Sequence, residues 1–157
     1  MMRFGIIGCG DFGKFLGGYL QEVAEVSALC DPNQEGMSET ATALKIDVPH
    51  YTDYRELIAK ENLDAVAITA ANFVHKEICV AAAEAGLHVF CEKAMARTVA
   101  ECWDMVRACR DNDRKLMVGH KRRLRPSWSR MIELTRAGGP LGEPVAITVT
   151  QYADMRP

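Results

Sequence analysis

Three glycines and one acid carry the first chemistry visible in this chain. Gly8, Gly10 and Gly13 stand in Arg3-Phe4-Gly5-Ile6-Ile7-Gly8-Cys9-Gly10-Asp11-Phe12-Gly13, a short apolar run entering a Gly-x-Gly-x-x-Gly turn. Gly8 permits a tight turn off a strand. Gly10 lets the backbone approach a pyrophosphate, and Gly13 lets the next helix pack closely on a sheet. Cys9, Asp11 and Phe12 fill the same turn, whose N–H groups and helix-dipole end would face phosphates. Asp31 closes the next apolar run, Val26–Cys30, at the roughly 20-residue spacing where an acid takes ribose hydroxyls. A carboxylate there repels a 2′-phosphate, and Pro32, Asn33 and Gln34 supply no cation to neutralise one. NAD is therefore favoured over NADP. The competing role for Asp31 is to cap a helix beginning near Asn33.

These residues need elements to position them, and the pattern alternates strand and helix throughout. Strands are expected at 4–8, 26–30, 65–69, 88–91 and 116–119. Helices are expected at 11–23, 34–44, 54–60, 74–85, 99–112 and 127–137. Asp53 and Thr98 are placed as N-caps and Gly86 as a helix stop. On the first helix, Phe15, Leu16, Tyr19, Leu20 and Val23 form the apolar face, and Trp103 and Trp128 read as packing residues. The run 65–69 is apolar throughout, as in a parallel sheet covered on both faces. The fold class is thus α/β: a doubly wound parallel sheet, a Rossmann domain over 1–125. Ligands in such sheets bind beyond the carboxyl ends of the strands, here Gly8, Asp31, Thr69, Glu92 and His120. After a Gly/Pro-rich link, residues 145–152 have strand composition and read as the first strand of a truncated second, α+β domain over 126–157.

Composition narrows the classes. The 157 residues carry a formal net charge of −2, so a basic nucleic-acid face is not indicated. No apolar run reaches membrane-spanning length and no signal pattern precedes the first strand. Six cysteines stand at 9, 30, 79, 91, 102 and 109. No Cys-x-x-Cys or zinc spacing occurs, so no metal site is expected. They read as reduced, buried thiols of a cytoplasmic protein, with Cys9 open to oxidation in its loop.

The chain resembles the glucose–fructose oxidoreductase/inositol dehydrogenase/MocA-type (Gfo/Idh/MocA) dehydrogenases over essentially its whole length. The resemblance rests on the glycine fingerprint, on Asp64–His75 (similar to a strand and Thr-Pro-Asn-x-x-His loop), on Ala85–Lys93 (like a Gly-Lys-His-Val-x-x-Glu-Lys-Pro stretch), and on Val118–Pro126 and Leu141–Pro144. It implies that Lys93 reaches nicotinamide and substrate, and that Glu92 orients the lysine or contacts the cofactor. It places Thr69, Ala70, Asn72 and His75 near the cofactor and lets Arg123 contact substrate or cofactor. The bland readings are an ion pair for Lys93, an N-cap for Asn72, an exposed first-turn residue for His75 and a solvated loop for Arg123. Ala94 and Ala70 stand where the family often has proline, and Ala94 would free the backbone behind Lys93. The implied function is hydride transfer between NAD and a sugar, polyol or related hydroxylated small molecule, incomplete in a truncated chain. The alternative is a non-catalytic dinucleotide-binding fragment that self-associates through strand 145–152, as a homodimer or higher homo-oligomer.

Overall fold

Short runs of small and branched apolar residues make every inner strand of this fold. The computed structural model describes residues 1–136, 138–143, 145–146 and 148. The strands are β1 (Arg3–Ile7), β2 (Glu25–Cys30), β3 (His50–Tyr51), β4 (Ala65–Ile68), β5 (His88–Cys91) and β6 (Leu116–Val118). They form one sheet in the order β3-β2-β1-β4-β5-β6, with every pairing parallel. The helices are α1 (Asp11–Leu20), α2 (Gln34–Leu44), α3 (Tyr54–Lys60), α4 (His75–Glu84), α5 (Val99–Asp111) and α6 (Pro126–Thr135). The chain winds outward from β1 through β2 to β3, then returns to β4 on the other side. The strand order therefore reverses between β1 and β4, where such a sheet opens a crevice at its carboxyl edge. The doubly wound α/β class read from the sequence is the one observed.

Alternation along the strands splits the core in two. Val66 and Ile68 of β4 join Val89 and Cys91 of β5, Ile78, Cys79, Ala82 and Ala83 of α4, and Met105 and Cys109 of α5. Ala67 turns the other way, to Ile6, Val26 and Leu29 and to Met37 and Leu44 of α2. Caps fix where the helices start. Asn33 accepts from the N–H groups of Glu35 and Gly36, Asp53 accepts from Arg55 N, and Thr98 and Glu101 form a reciprocal capping box on α5.

The structure departs from the expectations in helix α1, at Trp103 and in two short elements. Helix α1 ends at Leu20 and does not bury Phe15, Tyr19 or Val23, which are exposed. It buries Gly13 and Gly17 instead, and a Cβ on Gly17 would press on Leu44 and Ile6. Leu16 and Leu20 of the expected face pack against the core, beside the small residues that bring the helix close to the sheet. Trp103 is 56% exposed on α5 and is no core residue. Strand β3, two residues long, was not foreseen, nor was the 3-10 turn Lys121–Leu124.

The chain forms two compact units, Met1–Gly119 and His120–Pro157. In the second, Pro126 occupies the first turn of α6 and the Ser129 hydroxyl donates to Arg123 O at 3.0 Å. The strand expected over 145–152 falls outside the described residues apart from 145, 146 and 148. Among the described residues no helix is long and apolar enough to cross a membrane.

Candidate functional site

The turn leaving β1 is held from four sides. Gly8 N donates to Cys30 O at 2.8 Å. The Thr69 hydroxyl, from the end of β4, donates to Gly8 O at 2.6 Å. The buried Thr40 hydroxyl of α2 donates to Cys9 O at 2.9 Å, and Cys9 N donates to Asp31 Oδ2 at 2.8 Å. Gly8 adopts φ +106°, and a Cβ there would collide with the Ala70 main chain, so only glycine lets β1 and β4 end side by side. A Cβ on Gly13 would strike Gly8 O, whereas one on Gly10 would meet nothing within 4 Å. Gly10 therefore faces open space, at the N-cap of α1, and no side chain caps that helix. A helix N-terminus left without a side-chain cap beside an open glycine suits an anion. Asp11 is exposed in the first turn and Phe12 half-buried. Lys14 is not offered to an anion: its ammonium lies 2.5 Å from Glu39 and 3.9 Å from Asp11.

Asp31 is not the cap of α2, a role taken by Asn33. Its Oδ1 accepts from Asn33 N at 2.8 Å, and its Oδ2 holds Cys9 N. Each oxygen keeps a further lone pair, and the carboxylate borders a cavity of about 330 Å³ lined by Gly8, Asp31, Tyr54, Arg55, Val74 and Ile78, among others. The size, and walls that set apolar residues beside Asp31, Asp53, Arg55 and Glu77, suit a small-molecule moiety. Arg55 was not singled out in the sequence because it is 24 residues beyond Asp31 and only the fold brings the two to one cavity. Its guanidinium sits 4.4 Å above the Tyr54 ring and 3.4 Å from Asp53. Burial, first, and Glu77 raise the Tyr54 pKa.

The ends of β4 and β5 make the other wall. Glu92 is only 7% exposed, and its Oε2 accepts from the Lys93 main-chain N–H at 3.0 Å. Gly119 lies against this carboxylate, where any Cβ would collide with it. Glu92 thus braces the Lys93 backbone rather than pairing with its ammonium. Lys93 is exposed and has no ion-pair partner among the described residues. The peptide between Lys93 and Ala94 is cis. Asn72 is exposed and does not cap α4, whose N-cap is Val74. His75 is corrected furthest: it is 1% exposed, with Nε2 2.9 Å from Ala70 O and Nδ1 3.0 Å from Ala94 O. Its ring is closed off from solvent and lies against the backbone that Ala94 was expected to free. Arg123 belongs to the second unit, in its 3-10 turn.

The Cys9 side chain is also turned inward. Burial, with Asp31 adding to it, pushes its thiol up to about 12, and the thiol lies 3.7 Å from Cys30 O. It is not an oxidation-prone loop cysteine. Sequence reading also missed Thr40 and Gly119. Neither sits in a motif, and their roles exist only through contacts made across the fold.

Comparison with known proteins agrees with this geometry. The family model GFO_IDH_MocA, described as "Oxidoreductase family, NAD-binding Rossmann fold", matches residues 2–120. The chain is 39% identical over 119 residues to the 2,7-anhydro-N-acetylneuraminate hydratase of Mediterraneibacter gnavus, covering 74% of this chain and 31% of that protein. It is 32% identical over 158 residues to the inositol 2-dehydrogenase/D-chiro-inositol 3-dehydrogenase of Halalkalibacterium halodurans, covering 93% of this chain and 43% of that one. The chain therefore spans less than half the length of these relatives. Its fold matches the WlbA dehydrogenase of Bordetella pertussis, solved with NADH and UDP-GlcNAcA, at a TM-score of 0.77 and 26% identity over 86% of this chain and 43% of that one.

Proposed function

Because this chain belongs to the GFO_IDH_MocA oxidoreductase family through its NAD-binding Rossmann fold, we propose that it binds NAD(H) along the carboxyl edge of β2, β1 and β4 and serves hydride transfer at a hydroxyl-bearing carbon of a polyol or sugar-like substrate. The carrying observation is the junction of Gly10, open on one side, with the N-terminus of α1, uncapped by any side chain, and with Asp31. The cofactor fits that junction. Gly10 and the N-terminus of α1 would hold the pyrophosphate, Asp31 and the cavity beside it the adenosine, and Thr69 and Lys93 the nicotinamide end. Bound NAD supplies the hydride acceptor, or NADH the donor.

The chain's own residues bind and orient. The free lone pairs of Asp31 accept the ribose hydroxyls. Its charge opposes a 2′-phosphate, and Arg55, the cation lining the same cavity, is already paired with Asp53. NAD is thus preferred to NADP. Glu92 fixes the Lys93 backbone, and the Lys93 ammonium donates a hydrogen bond to the substrate oxygen, stabilising negative charge as it develops. The polyol reading draws on the inositol dehydrogenase, a relative aligned over nearly the whole chain. Because another relative carries the name of a hydratase, the reading commits first to the dinucleotide site and only then to the net reaction. Parallel calorimetric titrations with NADH and NADPH test the reading. NADH binding at least tenfold tighter supports it, and equal affinities for the two would overturn the assignment of Asp31.

A further inference from the structure

The buried imidazole of His75 is the group the proposed chemistry leaves unused, and it stands between the two loops that flank the nicotinamide end of the site. One ring nitrogen faces Ala70 O, at the carboxyl end of β4 next to Thr69. The other faces Ala94 O, the residue after Lys93. The Cys91 thiol closes the same pocket, 3.3 Å from Nδ1, and also lies 3.4 Å from Glu92 O. No solvent reaches the ring, since His75 is buried. A neutral imidazole carries one N–H, and Cys91 can donate to Nδ1 or to Glu92 O according to which nitrogen holds it. The backbone on both sides of Lys93 is thus tied inward: Lys93 N to Glu92, and Ala94 O to His75.

We propose that His75 is a positioning residue: donating from Nδ1 to Ala94 O, it ties the Lys93 segment to the start of α4 and so sets the nicotinamide half of the site. This rests on the dinucleotide reading above. Its consequence is selective. The adenosine and pyrophosphate contacts, made by Asp31, Gly10 and α1, do not pass through His75, so only ligands that reach the Lys93 side feel its loss.

The test titrates the 157-residue chain with NADH and with ADP-ribose, which lacks nicotinamide, in three variants. An Asn amide nitrogen falls where Nδ1 stands and a Gln amide nitrogen where Nε2 stands. His75→Asn therefore keeps the bond to Ala94 O, His75→Gln offers its donor to Ala70 O instead, and His75→Leu offers neither. The expected result is a loss of about tenfold in NADH affinity for His75→Gln and His75→Leu with ADP-ribose unchanged, and near-normal binding of both ligands in His75→Asn. If His75→Leu does not fold, the Asn and Gln pair decides alone. An unchanged NADH to ADP-ribose ratio in the Gln variant, equal losses in Asn and Gln, or the greater loss in Asn would overturn the proposal. Failure of the unsubstituted chain to bind either ligand would overturn the dinucleotide reading itself, and this inference with it.

Discussion

Gly8 and Gly10 lie two residues apart in one motif, and the same substitution is expected to act on them in opposite ways. Gly10→Ala meets no atom, so thermal unfolding should be nearly unchanged, while NADH affinity falls at least tenfold because a methyl occupies the pyrophosphate's approach. Gly8→Ala must hold φ +106° against the Ala70 main chain; it should cost about 1–3 kcal/mol or more in denaturant unfolding. Asp31→Ala removes the ribose acceptor and the support of Cys9 N together. NADH should weaken about tenfold, and NADPH should gain relative to it; an unchanged NADH to NADPH ratio would contradict the role given to Asp31. At this scale the glycine fingerprint was readable because each glycine answers a local backbone demand. His75 was not, because its burial depends on Ala94 and Cys91, distant in sequence, and nothing about a histidine in a first helical turn announces them. Cys9 is buried, as its reading as a reduced, buried thiol had it; the motif places only its backbone, while the packing of α2 decides where its side chain goes.

The elements divide into those that build the site and those that only carry it. Helix α5 packs through Met105 and Cys109 into the core cluster of Val66 and Ile68, whereas α1 packs against the other cluster. Thr98→Ala should lower stability by about 1 kcal/mol without altering NADH affinity. Thr40→Val, by contrast, strips the donor from Cys9 O inside a buried setting; it should weaken both NADH binding and stability. Calorimetric titration and thermal melts of the two variants separate these roles. The caps at Asp53 and Thr98 and the stop at Gly86 were legible because they are local. The packed face of α1 was not. Periodicity pointed to Phe15 and Tyr19, but Gly13 and Gly17 set the approach distance, and those aromatics meet each other edge to face, ring centroids 5.0 Å apart, outside the core. Strand β3 escaped notice because two residues carry no pattern; it exists through pairing with Leu29 and Cys30.

For the whole molecule, the buried thiols tie stability to pH. Cys9, Cys30 and Cys91 are each pushed up to about 12, burial being the first cause. The unfolded chain releases these protons near the ordinary value of 9.0 while the folded one keeps them. Between those limits the unfolded state binds fewer protons, so stability falls as pH rises. The melting temperature should hold below about pH 9 and drop progressively above it, and Cys102, which is less buried, should react with a thiol reagent before the others do. The central claim is that the turn after β1, the end of α1 and Asp31 together form an assembled dinucleotide site. Its most direct test is a calorimetric titration of the chain and of its Gly10→Ala variant with NADH, alongside matched melting curves. The account predicts saturable binding to the chain and at least a tenfold loss in a variant that melts at the same temperature. Equal binding by both, or no binding by the unsubstituted chain, would contradict it.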